Sequence, residues 1–207
     1  AADAQAKGFL LGATAGRTTL LGEGLQHQDG HSLLLASTVP TCRAYDPAFA
    51  YELAAVVRHG LHEMYGGPGG AGAVAEGGGD GAFYYLTVYN ENYPMPPRPD
   101  GVADDDIVGG LYRWAAAPDD LPPDAPRATI LFSATAWQAA AAARDELATE
   151  HGVAAELWSA TSYKSLREDA LSVERWNRLH PGEHRTARVT DRLAASGGPI
   201  VAVTDFV

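Results

Sequence analysis

The sequence predicts an α/β protein built on parallel sheets and divided into two units. Three observations carry this. Short apolar runs bounded by glycine or turn residues recur at Gly8 to Leu11, Phe83 to Tyr89, Ala128 to Ser133 and Ala154 to Ser159, as strands of a parallel sheet do. Between them lie stretches whose apolar residues follow helical spacing, and strand–helix–strand alternation implies right-handed crossovers. A stretch with four prolines and three aspartates closes at Pro126, which makes residues 116–126 a linker between residues 1–115 and residues 127–207.

Taken in order, Gly8 to Leu11 is expected to be a buried strand. Leu33 to Ala36 is a short apolar segment, and Cys42 to Tyr45 a second strand. Asp46-Pro47 has the form of a helix start, with aspartate as N-cap and proline at the first helical position. Leu53, Val56, Val57, Leu61 and Met64 then keep helical spacing, with Glu52, Arg58, His59, His62 and Glu63 on the polar side and Gly66-Gly67 as the stop. The glycine-rich tract from Gly66 to Gly81 is expected to be a surface loop. Phe83 to Tyr89 is β-branched and aromatic, and the asparagine- and proline-rich stretch from Asn90 to Pro97 leaves it extended. Asp104 to Trp114 is expected to form a short helix or a helix–strand transition. In the second unit the expected elements are a strand at Ala128 to Ser133, a helix from Ala136 to His151 closed by Gly152, and a strand at Ala154 to Ser159. Helices follow at Ser165 to Asp169, Ser172 to Leu179 and Thr190 to Ala195, with a last strand from Ile200 to Asp205.

Composition narrows the function classes. With 46% hydrophobic and 20% charged residues, the 207-residue chain suits one large or two small globular domains. A net charge of −11 argues against sequence-independent nucleic-acid binding, which needs a basic face. No apolar run nears the roughly 18 residues of a membrane helix, and the first residues lack a signal peptide's basic-then-apolar order. The single cysteine, Cys42, cannot form an internal disulfide and fits a reducing cytoplasm, where it is expected to be a small buried apolar residue.

The stretch between the first strand and Ser32 is chemically dense. It places Arg17, Glu23, His27, Asp29 and His31 among glycines at 12, 16, 22, 24 and 30. A polar, glycine-hinged loop exists to present side chains rather than to fill a core, and it is expected to lie over a pocket. His27 and His31 have the spacing of two metal ligands on a helix, but Asp29-Gly30 between them opposes a helix and no third ligand follows; no metal ligand is assigned.

GRTTL-x-GEGLQH-x-DGHS resembles the signature of the homodimeric-type, thiamine-diphosphate-dependent first component of the pyruvate dehydrogenase complex. The resemblance continues through STVPTCRAYDPAFAYELA, YYLTVYNENYPMP and SVERWNRLHP. It implies a transketolase-like pyrimidine-binding domain, partial and covering residues 1–115, followed by a truncated transketolase C-terminal-like domain over residues 127–207. It implies decarboxylation of pyruvate with thiamine diphosphate and magnesium, both bound mainly by protein outside this chain. It also implies acetyl transfer to the lipoyl group of a dihydrolipoyl acetyltransferase, within a homodimer or with a missing half of the enzyme. By the same resemblance His27 faces the reactive carbon of the cofactor, where an imidazole can donate to a developing oxyanion or shuttle a proton.

Glu23 is assigned a catalytic role with His27; Asp29 and His31 are supporting. Glu23 and Asp29 either orient the imidazole or accept loop amides. Arg17 either binds an anion or pairs within the loop. Glu91 and Tyr93 are expected to fix their segment near a subunit interface, and Trp176 to pack in the core or at a domain contact. Gly79-Asp80-Gly81 matches the metal-binding tripeptide of thiamine enzymes, but Asn90 and Asn92 come too early for that pattern, so it is taken as a chance match. Ser133-Ala134-Thr135 stands where the family carries Gly-Ser-Gly. A subunit of a split thiamine enzyme acting on another 2-oxo acid or ketose donor, and a non-catalytic assembly module, are the alternatives.

Overall fold

The computed structural model describes residues 1–66 and 81–206. The glycine-rich tract, with Gly79-Asp80, lies outside these residues except for its two ends.

Two sheets organise the chain. The first holds β1 (Phe9–Gly12), β2 (Cys42–Tyr45) and β3 (Phe83–Thr87), all parallel, in the order β1-β3-β2. Tyr84 pairs with Phe9 on one side and Arg43 on the other. β1 was expected to be buried; it is an edge strand, and Leu10 and Leu11 are 52% and 62% exposed. Only Phe9 of this strand packs on the hydrophobic core.

A short helix, α1 (Ser32–Ser37), leads into β2, and α2 (Ala50–Tyr65) covers the first sheet through Ala55, Val56 and Met64. Gly60 permits close approach, since a Cβ there would lie 2.8 Å from the Phe9 ring. The start of α2 corrects the sequence reading. Asp46 is not its N-cap. Phe49 holds that position in extended conformation (φ −127°, ψ 152°), and Glu52 Oε2 accepts from the amides of Ala48 at 2.5 Å and Phe49 at 3.1 Å. Glu52 reaches back to donors that the helix cannot satisfy itself, and Asp46 is occupied elsewhere.

The second sheet holds β4 (Tyr112–Ala115), β5 (Arg127–Phe132), β6 (Ala154–Ser159) and β7 (Ile200–Val203), in the order β4-β6-β5-β7. β5 is parallel to β6 and β7, but β4 runs antiparallel to β6, so this sheet is mixed rather than purely parallel. β4 follows α3 (Asp104–Val108) and precedes the proline-rich stretch, yet it joins the second sheet. α4 (Trp137–His151) ends at Gly152 as expected. The two helices expected after β6 are one, α5 (Tyr163–Leu179), capped by Ser162, whose Oγ accepts from the Ser165 amide at 3.1 Å. Ser172 lies inside it and caps nothing. α6 (Arg188–Arg192) precedes β7.

The core is continuous between the sheets. Phe49, from the segment before α2, packs with Phe132 and Leu157 of the second sheet and stacks on Trp114 at 5.7 Å. Burying one such ring contributes about 2 kcal/mol. Tyr93 donates to the Ala48 carbonyl at 2.5 Å and sets its ring 5.5 Å from Trp137, which lays the 90–97 segment along this seam. Burial pushes the Tyr93 hydroxyl up to about 12, so it remains a donor.

Candidate functional site

The loop between β1 and α1 is closed at its base. The Ala15 amide donates to the Val88 carbonyl beyond β3, and the Asp29 amide donates to the Gly16 carbonyl, both at 3.0 Å. Residues 16 and 29 therefore meet, and the chain between them forms a compact excursion with joined ends. Ala15 and Leu20 are buried and anchor it. Gly16 has φ +82°, and a Cβ there would lie 2.7 Å from Asp205 Oδ2 and 2.8 Å from the Tyr89 ring, so the position needs glycine twice over.

The excursion contains two 3-10 turns, Thr18–Leu20 and Leu25–His27. Glu23 and His27 are both exposed on it, beside Leu21 and Leu25, which are 71% and 81% exposed. The Gln26 side chain donates to the Glu23 carbonyl at 2.9 Å and stiffens the bend between them. The His27 ring is neither sealed in a core nor engaged by another described side chain. Arg17 lies with its guanidinium against Gly30, inside the loop.

Asp29 accepts loop amides. Its Oδ1 takes the amides of His31 at 3.1 Å and Ser32 at 3.0 Å, and its Oδ2 takes the Ser32 hydroxyl at 2.5 Å. It thereby satisfies the first turn of α1. His31 enters through its backbone, and its side chain is exposed.

A cavity of about 340 Å³ opens against α1, lined by Leu33, Leu34, Asp46, Lys164, Thr204 and Phe206 among others. Glu23, His27, Asp29 and His31 do not line it, so the pocket expected beneath the loop lies to its side. Lys164 is almost fully buried there; it donates to the Val39 carbonyl at 3.1 Å and pairs with Glu168.

Two carboxylates central to the structure were misread in the sequence. Asp46 is 3% exposed and Glu52 fully buried. Asp46 Oδ1 accepts from Thr87 Oγ1 and from the Tyr89 hydroxyl, each at 2.5 Å, and Oδ2 accepts from Ser133 Oγ at 2.6 Å. Glu52 Oε1 accepts from the Tyr112 hydroxyl and Ser159 Oγ, each at 2.6 Å. Burial pushes both carboxyls above the usual carboxylate range, and the hydrogen bonds pull them partly back. For Glu52 a signal existed: it stands four residues before Val56 and eight before Gly60, on the buried stripe of α2.

Trp176 is half-buried, stacked on His180 at 3.7 Å with the Arg185 guanidinium 3.3 Å from its ring centre. His62 is exposed and His59 half-buried. No helix among the described residues is long and apolar enough to cross a membrane. No group of three His, Cys, Asp or Glu among the described residues is placed to hold a metal ion.

Residues 1–96 match the family described as pyruvate dehydrogenase E1 component middle domain. Over its whole length the chain is 46% identical to the pyruvate dehydrogenase E1 component of Mycolicibacterium smegmatis, 45% to that of Pseudomonas aeruginosa and 40% to that of Escherichia coli. It spans 21% of the first and 22% of the other two. In structure it is similar to transketolase from Leishmania mexicana, with a TM-score of 0.55 at 16% identity over 89% of this chain and 21% of that one. It is also similar to transketolase from Campylobacter jejuni, at 0.50 and 15% over 96% of this chain and 27% of that one. These likenesses establish an α/β, transketolase-like fold. Over its whole length the chain is similar to the pyruvate dehydrogenase E1 component, with residues 1–96 matching its middle domain, and it corresponds to about a fifth of the length of those relatives.

Proposed function

We propose that this chain is the part of a pyruvate dehydrogenase first component that brings His27 to the reacting centre. The enzyme decarboxylates pyruvate and reductively acetylates the lipoyl group of a dihydrolipoyl acetyltransferase. The observation that supports this reading is an imidazole held on a closed, glycine-hinged loop yet left free of the core. The name of the relatives, similar over the whole chain, is what supports pyruvate as the substrate.

The residues present do not make a complete thiamine diphosphate site. The described residues offer no metal cluster, and the cavity lies to the side of His27. The cofactor and magnesium are assigned to protein outside these residues, and the cofactor supplies the electron sink for decarboxylation. His27 holds or moves a proton at the substrate oxygen, and Glu23, on the same exposed loop, sets the local charge. Residues 1–115 are assigned to part of the pyrimidine-binding domain, with β4 at their end crossing over to pair in the second sheet, 116–126 to the linker and 127–207 to part of the C-terminal domain. The enzyme is a cytoplasmic homodimer on this reading.

The test is pyruvate turnover by the full enzyme with thiamine diphosphate and magnesium, followed with an artificial electron acceptor and by acetylation of a lipoyl domain. Turnover of another 2-oxo acid or a ketose donor, with none of pyruvate, overturns the substrate assignment. Turnover of pyruvate by the 207-residue chain alone overturns the assignment of the cofactor ligands elsewhere.

A further inference from the structure

The loop that carries His27 is held from the far end of the chain. Asp205, two residues beyond β7, accepts three hydrogen bonds from its first turn. Oδ2 takes the amides of Arg17 at 3.2 Å and Thr18 at 3.1 Å, and Oδ1 takes the Thr18 hydroxyl at 2.5 Å. The left-handed conformation of Gly16 turns the two successive amides toward one point, and the carboxylate fills that point. Asp205 follows the last strand of the second sheet and His27 lies on a loop leaving the first, so the contact fixes one sheet's loop to the segment beyond the other sheet's strand end.

The neighbouring contacts leave the loop little freedom at this point. Tyr89 closes the other side of Gly16, and its hydroxyl is tied to Asp46. Asp46 is tied in turn to Ser133, and Ser133 Oγ reaches Thr204 Oγ1 at 3.0 Å, next to Asp205. A ring of side chains thus runs from Asp205 through Thr204, Ser133, Asp46 and Tyr89 back to Gly16. Among the described residues nothing comparable holds the His27 end: His27, Gln26 and Leu25 are exposed.

We propose that Asp205 is a positioning residue for His27, fixing the base of the loop so that the imidazole is presented in one place. This rests on the function proposed above. A group displaced by about 1 Å loses 10- to 100-fold in rate without losing its chemistry. Asparagine at 205 keeps one oxygen for the two amides and can donate to the Thr18 hydroxyl; alanine keeps neither.

The experiment uses the full enzyme with thiamine diphosphate and magnesium, comparing Asp205→Ala, Asp205→Asn and the milder Thr18→Val. Two quantities are measured: kcat and KM for pyruvate, and amide hydrogen exchange of residues 17–29. The expected result for Asp205→Ala is kcat down about 10- to 100-fold with KM within about twofold. Exchange in the loop should be about tenfold faster. Asp205→Asn should recover most of both, and Thr18→Val should fall between. Unchanged exchange in both Asp205→Ala and Thr18→Val overturns the proposal, as does faster exchange with unchanged kcat. The exchange measurement needs no substrate, so a failure of the pyruvate assignment would show separately as absent turnover in the unsubstituted enzyme.

Discussion

Ser133 Oγ, just beyond β5, donates a 2.6 Å hydrogen bond to Asp46 Oδ2, just beyond β2, across 87 residues of sequence. The backbone of Asp46 makes the same crossing: its amide donates to the Thr161 carbonyl at 2.8 Å, and its carbonyl accepts from the Ala134 amide at 3.3 Å. One residue thus joins the carboxyl ends of strands from both sheets. Asp46→Ala would strand the hydroxyls of Thr87, Tyr89 and Ser133 in a buried space, at a cost of about 3 kcal/mol. Urea denaturation of the enzyme should show this as a lower midpoint, with Asp46→Asn less affected. An unchanged midpoint for the alanine variant would refute the joining role.

The two buried carboxyls make stability depend on pH in a defined direction. Burial raises the folded pKa of Glu52 and Asp46 above the unfolded value, so the folded state binds protons more tightly between the two. Their contribution is fully present below the unfolded carboxylate pKa and is lost as pH rises through the raised folded value. Asp104 has the opposite sign. The hydrogen bond from Arg98 lowers its pKa first, with Arg58 adding to it, so its contribution is lost as pH falls; being well exposed, it is a small one. Urea midpoints taken across the acid and neutral range should therefore fall toward neutral pH in the unsubstituted protein, and Glu52→Gln should flatten that slope. A slope unchanged by Glu52→Gln would contradict the assignment.

The elements set by local pattern were legible. β5 and β6 occur where the apolar runs place them, and α4 ends at the glycine that marks it. What failed depended on partners distant in sequence. Asp46-Pro47 has a helix-start signature, but the carboxylate is claimed by Thr87 and Ser133, 41 and 87 residues away, and α2 starts later. β1 has the composition of a buried strand, yet nothing in four residues reveals that it stands at a sheet edge. The antiparallel entry of β4 is likewise invisible to a pattern that carries no strand direction. The candidate site divides in the same way: the glycines and polar residues mark out the loop, but its tie to Asp205 lies 188 residues from Arg17.

His27 offers a separation of activity from stability. Its ring is exposed and makes no hydrogen bond to another described side chain, so His27→Ala should leave the unfolding midpoint within about 0.5 kcal/mol of the parent. On the proposed function, in which His27 is an acid–base group at the reacting centre, its loss should lower pyruvate turnover of the full enzyme about 100- to 10,000-fold. Steady-state kinetics and a thermal melt on the same preparation check both. Wild-type turnover in the variant would remove His27 from the reaction.

Asp29 requires the opposite pairing, because its carboxylate already has partners. It holds the amides of His31 and Ser32 and the Ser32 hydroxyl, so Asp29→Ala should weaken α1 by about 1 kcal/mol, the usual loss when a cap is removed. Asp29→Asn keeps an oxygen for the amides but removes the charge. If the side chain serves α1 alone, the asparagine variant retains both midpoint and kcat, and the alanine variant loses stability first. If the charge also steadies the His27 imidazole, the asparagine variant keeps its midpoint while kcat falls. The hydrogen bonds favour the first outcome: three donors of the α1 turn converge on this carboxylate, while His27 lies on the other side of the Gln28 bend. His31→Ala should then be silent in the melt, because residue 31 contributes its backbone amide to the contact rather than its ring.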